Sequence, residues 1–491
     1  MSTQLPNIGD GAIRILAVLL VVVLAVYFGS PKPKSVTPSG SHGVMETLNL
    51  RINTMSGVMF LGDSGSGKTT ALIEFLSELL QGDIGAALFS VKEDAAEDAR
   101  KMLRRAGREY ETFRVGESFY NPIAFALHEW GVVECAHHLE LTAEVLSGGE
   151  SGTKEQFWQG MFREGLIHAL TLIHVAFDNP TPVHLLDLIG SIPNTPAARL
   201  QGEFKDSKAF KIATHAERRA TAQQKHDVAA AIQWLFVTLP ASGDKVQGAV
   251  VSEITNVVSP LCRGAIRSTV HCKRSTILPS DPSNGRVIVW DYPLLVHGRE
   301  SQILQTLWRI QACRYILKTP PERYTVLVTD ECQFLTHLKF DRGYQSSCRS
   351  SLGISVMATQ HISGLIQAQS DGPMSVHSVN AWLADFPIKC FGSTADPETQ
   401  EFIVKLVGEG IRMMISGGPS GESPPDTFDP FGIGGRAHVH FSQSFRQKVE
   451  KSDITTLRRG SVNEGECVDM ICYQNGMNPP HRFVTIRRSH A

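Results

Sequence analysis

The sequence predicts an α/β chain. One mostly parallel sheet surrounds a glycine-rich strand-to-helix turn, an all-helical insertion interrupts it, and one apolar N-terminal helix precedes it. Three observations predict this. A short apolar run, Gly57 to Leu61, leads into "GDSGSGKT" (Gly62 to Thr69) and then a helix. A second apolar run, in "YTVLVTDECQFL" (Tyr324 to Leu335), ends in an acid pair more than half the chain later. Between the two the pattern turns helical and then turns back. Strands alternating with helices on both sides of an insertion imply a single, mostly parallel sheet. No internal repeat is visible, which argues against a solenoid.

The 491 residues exceed one ordinary core, so two or three domains are expected. Lys plus Arg total 47 against 49 acids, a net charge of −2, so any nucleic-acid contact must be a local patch or a pore lining. The nine cysteines are odd in number and form no CxxC, which argues against a disulfide framework. Cys262 with His271 and Cys272, and Cys467 with Cys472, come nearest to metal-ligand spacing. Neither closes a four-ligand set, so reduced, partly buried thiols are expected.

Residues 1–29 are expected to form a membrane anchor, spanning 12–29 ("AIRILAVLLVVVLAVYFG"). The uninterrupted apolar part, Ile15 to Gly29, is short. With Ala12 to Arg14 it approaches the roughly 18–20 residues that a bilayer needs, and Arg14 at its edge can snorkel. The alternative is a cleaved signal peptide. Val26 to Gly29 is a poor small-residue cleavage site, so a retained anchor is favoured. Lys32 and Lys34 follow the span, which places the C-terminal side in the cytoplasm. Residues 30–47, rich in Pro, Ser and Gly, form a linker.

Residues 48–120 make the first part of the core. Gly62 to Thr69 fits G-x-x-x-x-G-K-[ST], a phosphate-binding loop. Gly62, Asp63, Ser64, Gly65, Ser66 and Gly67 would curl so that backbone N–H groups face phosphates. Lys68 would reach the β- and γ-phosphates, and the Thr69 hydroxyl would ligate Mg²⁺. Thr70 opens a helix predicted over 70–80, whose positive dipole end points at the same anion. ATP and Mg²⁺ are the expected ligands.

The acid pair supplies the other half of such a site. Val326 to Val328 form a strand body, and Asp330 at its end would hold Mg²⁺ through the metal's water shell. Glu331 would polarise an attacking water as general base. An acid pair favours water over an acceptor hydroxyl as nucleophile, hence a hydrolase rather than a small-molecule kinase. A further strand, Ile354 to Ala358, ends at Thr359-Gln360, where an amide can sense the γ-phosphate. Arg342 and Arg349 lie between acid and sensor. Either is a candidate arginine finger toward a neighbouring subunit, and Arg349 is the preferred one.

The insertion is expected over 121–243. "KEQFWQGMFREGLIHALTLIHVAF" (Lys154 to Phe177) sets Phe162, Leu166, Leu170 and Ile173 on one helical face. Thr181-Pro182 opens another helix. The run Glu217-Arg218-Arg219 lies in a polar stretch, as a solvated face or a nucleic-acid contact. From Asp244 the pattern is read as returning to strands, with "GRVIVWDYPLL" (Gly285 to Leu295) as a buried strand and a helix over Glu300 to Leu317, so 244–491 completes the core.

Several segments together resemble the coupling proteins of type IV secretion, the TraD/TraG type of conjugative DNA-transfer ATPase in the FtsK–HerA class of P-loop motors. They are Lys92-Glu93, Arg104 to Gly107 and Asn121-Pro122 after the loop; Phe157-Trp158 opening the insertion; and Asp330-Glu331-Cys332-Gln333 with Arg349, Gly353 and Gln360. "STADPETQEFIVKLVGE" (Ser393 to Glu409) and "KSDITTLRRG" (Lys451 to Gly460) before a last strand near Val468 to Tyr473 complete the set. The resemblance covers most of residues 48–488. The chain departs from the pattern in carrying one apolar span where usual members have two, and Ser90-Val91 where an Asp is expected before Lys92.

The resemblance implies a RecA-like P-loop ATPase core and a homo-hexameric ring at the bacterial inner membrane, with the ATPase domain in the cytoplasm. It also implies DNA as cargo, a relaxase-bound single strand, passed on with secretion-channel and relaxosome proteins. Two alternatives stay open: a nucleotide-dependent substrate-docking platform without motor activity, and a related viral or phage packaging or assembly ATPase.

Overall fold

The computed structural model describes Met45 and residues 50–147, 155–319, 322–368, 373–419, 437–461, 467–477 and 480–487. The expected N-terminal span lies outside these residues. Among the described residues no helix is long and apolar enough to cross a membrane.

Strand β1 (Gly57–Leu61) is buried along its whole length. So are β2 (Gly85–Phe89), β4 (Val287–Trp290), β5 (Thr325–Thr329), β6 (Gly353–Thr359) and β7 (Ile388–Phe391). Strands apolar on both faces belong in a sheet covered on both sides. With β3 (Glu111–Phe113), β10 (Cys467–Gln474) and β11 (His481–Arg487) they form one nine-stranded sheet, ordered β11-β10-β7-β1-β6-β5-β2-β4-β3. From β7 to β3 all pairs are parallel. Only β10 and β11 run antiparallel to their neighbours. The expected last strand is thus one arm of a hairpin.

Alternation along β1 divides the core. Val58 and Phe60 face one side, where α1 (Lys68–Leu79) and α2 (Ala95–Arg105) pack. Met59 and Leu61 face the other. Over β2–β5 that second side is covered by α3 (Pro122–Trp130), α4 (Val132–Ser147) and the bulk of the helical insertion.

The insertion continues through α5 (Glu155–Ala176), α6 (Pro182–Ile189), α7 (Gly202–Asp206), α8 (Lys208–Arg219), α9 (Lys225–Gln233) and α10 (Leu239–Ala241). Phe162, Leu166, Leu170 and Ile173 are all buried, as their spacing predicted. The expected return to strands at Asp244 does not occur. Residues Asp244–Val258 form α11 and Ile266–Val270 form α12, and the next strand starts at Val287. The β-branched run suggested a strand, but Val250, Ile254, Val257 and Val258 fall at helical spacing and are buried in the helical core. The helical layer therefore runs past residue 243, and Gln247 Nε2 donates to the Pro193 carbonyl within it.

Helix α13 (Leu294–Lys318) starts before the predicted Glu300 and is broken at Gly298, whose φ of 62° is non-helical. It is followed by α14 (Leu338–Ser347), α15 (Ile362–Gln367), α16 (Pro373–Ala384), α17 (Pro397–Val407) and α18 (Lys451–Thr455). A separate hairpin of β8 (Glu409–Pro419) and β9 (Ala437–Gln447) projects from the core.

Candidate functional site

Parallel strands in register end together. Leu61 of β1 lies beside Thr359 of β6 and Phe391 of β7, Phe89 of β2 lies beside Thr329 of β5, and Thr329 beside Met357 of β6. The segments that follow these strands therefore share one edge of the sheet. They are Gly62–Gly67, Ser90–Lys92, Asp330–Glu331, Gln360 and Gly392–Thr394. β1 is also where the strand order reverses, since the chain leaves it across β6 and β5 to β2. Open α/β sheets bind ligands at such a point.

The loop is tied down on both sides. Gly62 N–H donates to the Gln360 carbonyl at 3.1 Å, and Asp63 N–H to the Ser393 carbonyl at 3.0 Å. A Cβ on Gly62 would stand 2.5 Å from Ser66 Oγ, so the loop closes tightly only with glycine there. Gly67 has φ 81° and packs on Val468, whose Cγ2 is 2.4 Å from the position of an added Cβ. Gly67 caps α1, which begins at Lys68 rather than Thr70 and has no acid in its first turn. Its opening N–H groups are those that every helix start leaves without intrahelical acceptors. Ser64, Gly65 and Thr69 are exposed at this edge, and Thr70 is half-buried. Ser66 Oγ is buried without a hydrogen-bond partner.

Lys68 is only 4 % exposed, and a buried ammonium needs a counter-charge. It has one in Glu331, with Nζ 3.7 Å from Oε1. The same oxygen takes Lys92 Nζ at 2.6 Å and Gln360 Nε2 at 3.0 Å, and the other oxygen takes Gln333 Nε2 at 3.0 Å. Thr359 Oγ1 donates to Gln333 Oε1 at 2.9 Å, fixing that amide. Glu331 lies in the left-handed region, φ 50°, where a residue other than glycine is strained. Its N–H donates to Asp330 Oδ1 at 2.9 Å, which helps to hold the turn. The turn aims Glu331 back at the loop.

These contacts set the charges. Burial alone would raise the Glu331 pKa, but Lys68, Lys92, Gln360 and Gln333 together bring it down to about 2, so the carboxylate is ionised. Asp330 goes the other way. Burial raises it, the Glu331 charge adds to that, and Lys68 and Lys92 oppose. Lys92 is raised although burial lowers it, because Glu331 and Asp330 favour its charged form.

Of the residues singled out in the sequence, the structure brings Lys68, Asp330, Glu331 and Gln360 together at the loop. Asp63 turns outward instead. Its carboxylate accepts from Thr394 Oγ1 at 2.7 Å and Ala395 N–H at 2.8 Å, bracing the loop from behind. Arg349 does not join the site of its own chain. It precedes β6, is exposed at the opposite edge of the sheet, and its charge acts on Tyr324 there. Arg342 is also exposed, with Nε 3.3 Å from Asp385. Cys472 lies 3.3 Å from Cys390, sulfur to sulfur, and no metal-ligand group forms among the described residues.

Sequence reasoning missed Lys92 and Gln333 as site residues. Lys92 had a signal, since it stands just past β2, the strand beside the acid strand. Gln333 had none until the left-handed turn placed it.

The donor set fits a triphosphate with Mg²⁺. There is a closed anion loop, an orphaned hydroxyl inside it, a buried ammonium and two carboxylates on the facing strand.

The fold is similar to that of plasmid coupling protein TrwB. Against its complex with the non-hydrolysable ATP analogue ADPNP the TM-score is 0.59 at 14% identity, covering 94% of this chain and 90% of that one. Against the complex with ADP and Mg²⁺ it is 0.58 at 14% identity, over 94% and 90%. Against the unbound bacterial conjugative coupling protein TrwBdeltaN70 it is 0.58 at 14% identity, over 88% and 85%. At such identity the likeness is one of fold. No protein-family model matches the chain, and no curated protein matches it.

Proposed function

We propose that the chain is a membrane-anchored ATP hydrolase that couples turnover to moving DNA, or a DNA–protein complex, into a type IV secretion or conjugation channel. One observation carries the enzymatic part: the phosphate-loop lysine and the catalytic carboxylate already face each other, Lys68 Nζ to Glu331 Oε1 at 3.7 Å.

In this reading Lys68 leaves Glu331 for the β- and γ-phosphates. Lys92, Gln360 and Gln333 keep the carboxylate in place when Lys68 departs. Glu331 then orients the attacking water and accepts its proton as the bond to phosphorus forms. Its low pKa makes it an acceptor that stays ionised at neutral pH. Thr69 and Asp330 would hold Mg²⁺, which when bound neutralises charge on the β- and γ-oxygens. Gln360 joins loop and acid, through its carbonyl to Gly62 and its side chain to Glu331, and so reports the phosphate state to β6.

The DNA cargo, the ring of six and the inner-membrane anchor rest on the resemblance and on the likeness to a plasmid coupling protein. In such a ring Arg349, exposed on the far edge, would serve a neighbour's nucleotide rather than its own. The test is ATP turnover of the purified chain with and without DNA. Stimulation by DNA supports the motor. Turnover absent in both conditions favours a nucleotide-dependent docking platform.

A further inference from the structure

Positive charge is segregated within the helical layer. Helices α3 and α4 carry Glu129, Glu134, Glu140 and Glu144 and no Lys or Arg. Two other segments carry the reverse. The first is α8, which buries Ala209, Ile212, Ala213 and Ala216. At 100° per residue, Lys208, Lys211, His215, Arg218 and Arg219 fall on one flank of that buried face, and the helix's single acid, Glu217, falls on the other. All five are exposed.

The second segment is the turn around α12. Residues 254–280 contain no Asp or Glu, yet Arg263, Arg267, Lys273 and Arg274 are all exposed there. None of these four, nor Lys211 or Arg218, pairs with a carboxylate among the described residues.

The two segments meet over α6. His215 of α8 contacts Phe177 at 6.0 Å between ring centroids, Phe177 stacks on His184 at 3.9 Å, and His184 contacts His271 at 5.4 Å. Thr181 Oγ1 lies 2.7 Å from His271 Nδ1. On the other flank Lys208 Nζ donates to Asp187 at 2.7 Å, and the charges of Arg267, Asp187 and Arg263 all reach the Cys262 thiol. The result is one continuous cationic face. Only Asp187 and Asp178 are seen to neutralise any of it, through Lys208 and Arg219.

We propose that this face of the helical layer, α8 together with the turn around α12, is a docking surface for the phosphate backbone of nucleic acid. Unpaired cations facing water on a chain of net charge −2 cost self-repulsion unless a polyanion covers them. Phosphate contacts of this kind give affinity and register without sequence preference. The proposal deepens the reading of DNA as cargo and locates first contact away from the nucleotide edge.

The test measures binding of a fluorescent single-stranded oligonucleotide to the full chain by anisotropy, over a salt series and without nucleotide. The variant R267E/K273E/R274E should weaken binding at least tenfold and flatten the slope of log affinity against log salt by about 2, since each lost strand phosphate contributes about 0.7. R267K/K273R/R274K should bind as the parent does. DNA-free ATP turnover should be unchanged in both. Unchanged affinity and slope in the charge-reversal variant would overturn the surface while leaving the cargo reading intact. No oligonucleotide binding by the parent, with normal ATP turnover, would overturn both. Equal displacement of the oligonucleotide by polyglutamate at matched charge would also overturn it, assigning the face to an acidic protein.

Discussion

The Lys68 ammonium lies 3.7 Å from the Glu331 carboxylate, although more than half the chain separates the two residues. The distance follows from topology. β1 and β5 flank β6 in parallel register, so the helix after one and the turn after the other open on the same edge.

Lys92 shares the Glu331 oxygen with Lys68, so it acts through the carboxylate. Lys92→Met should lower kcat about tenfold or more while leaving nucleotide affinity within a few-fold, and Lys92→Arg should restore most of the rate. Steady-state turnover with a separate binding titration checks this split. An equal loss of affinity and rate would mean that Lys92 contacts the phosphates directly.

Gly67 is held left-handed against Val468. Gly67→Ala should therefore distort the loop twice over, through about 1–2 kcal/mol of backbone strain and through a clash. Nucleotide affinity should fall at least tenfold, and adding Val468→Ala should recover part of it, as read by titration with a fluorescent ATP analogue.

The Arg309–Asp341 pair is wholly buried. Arg309 also donates to the Leu335 carbonyl at 3.2 Å, and Asp341 accepts the His337 N–H at 2.7 Å, so the pair anchors the chain after the acid turn. Arg309→Met should cost about 3–5 kcal/mol by leaving Asp341 charged and unpaired. R309M/D341N should recover part of that loss in a urea midpoint, because Asn can still accept from His337.

His138 is 1 % exposed, with both ring nitrogens unpartnered. Burial lowers its pKa to about 3, and Arg314 and His137 add to this. A depressed folded pKa gives stability that is complete above the unfolded value near 6.5 and is lost as pH falls toward 3. Between pH 6.5 and 5 the loss should reach about 2 kcal/mol. His138→Phe should remove that acid sensitivity from the thermal unfolding curve, and an unchanged pH slope would refute it.

The strand-to-helix loop, the acid strand and the Gln360 strand end were legible because each is a contiguous apolar run closed by a polar residue. The helices between 244 and 270 were not. Their β-branched residues mimic a strand locally, and burial on the helical layer decides otherwise. The outward turn of Asp63 was equally hidden, because its partners, Thr394 and Ala395, come from the far side of β7 in sequence. Lys92 could have been found by asking which strand must neighbour β5. The left-handed backbone of Glu331, which gathers the site, has no sequence signature at all.

The most direct test compares ATP turnover and nucleotide binding in the parent chain and in Glu331→Gln, both with Mg²⁺. The amide keeps the shape and the hydrogen bond to Gln333 but cannot take a proton. Turnover at least a hundredfold lower with nucleotide binding retained is the predicted result. Undiminished turnover in Glu331→Gln would contradict the assignment of this carboxylate, and with it the enzyme built around its contact with Lys68.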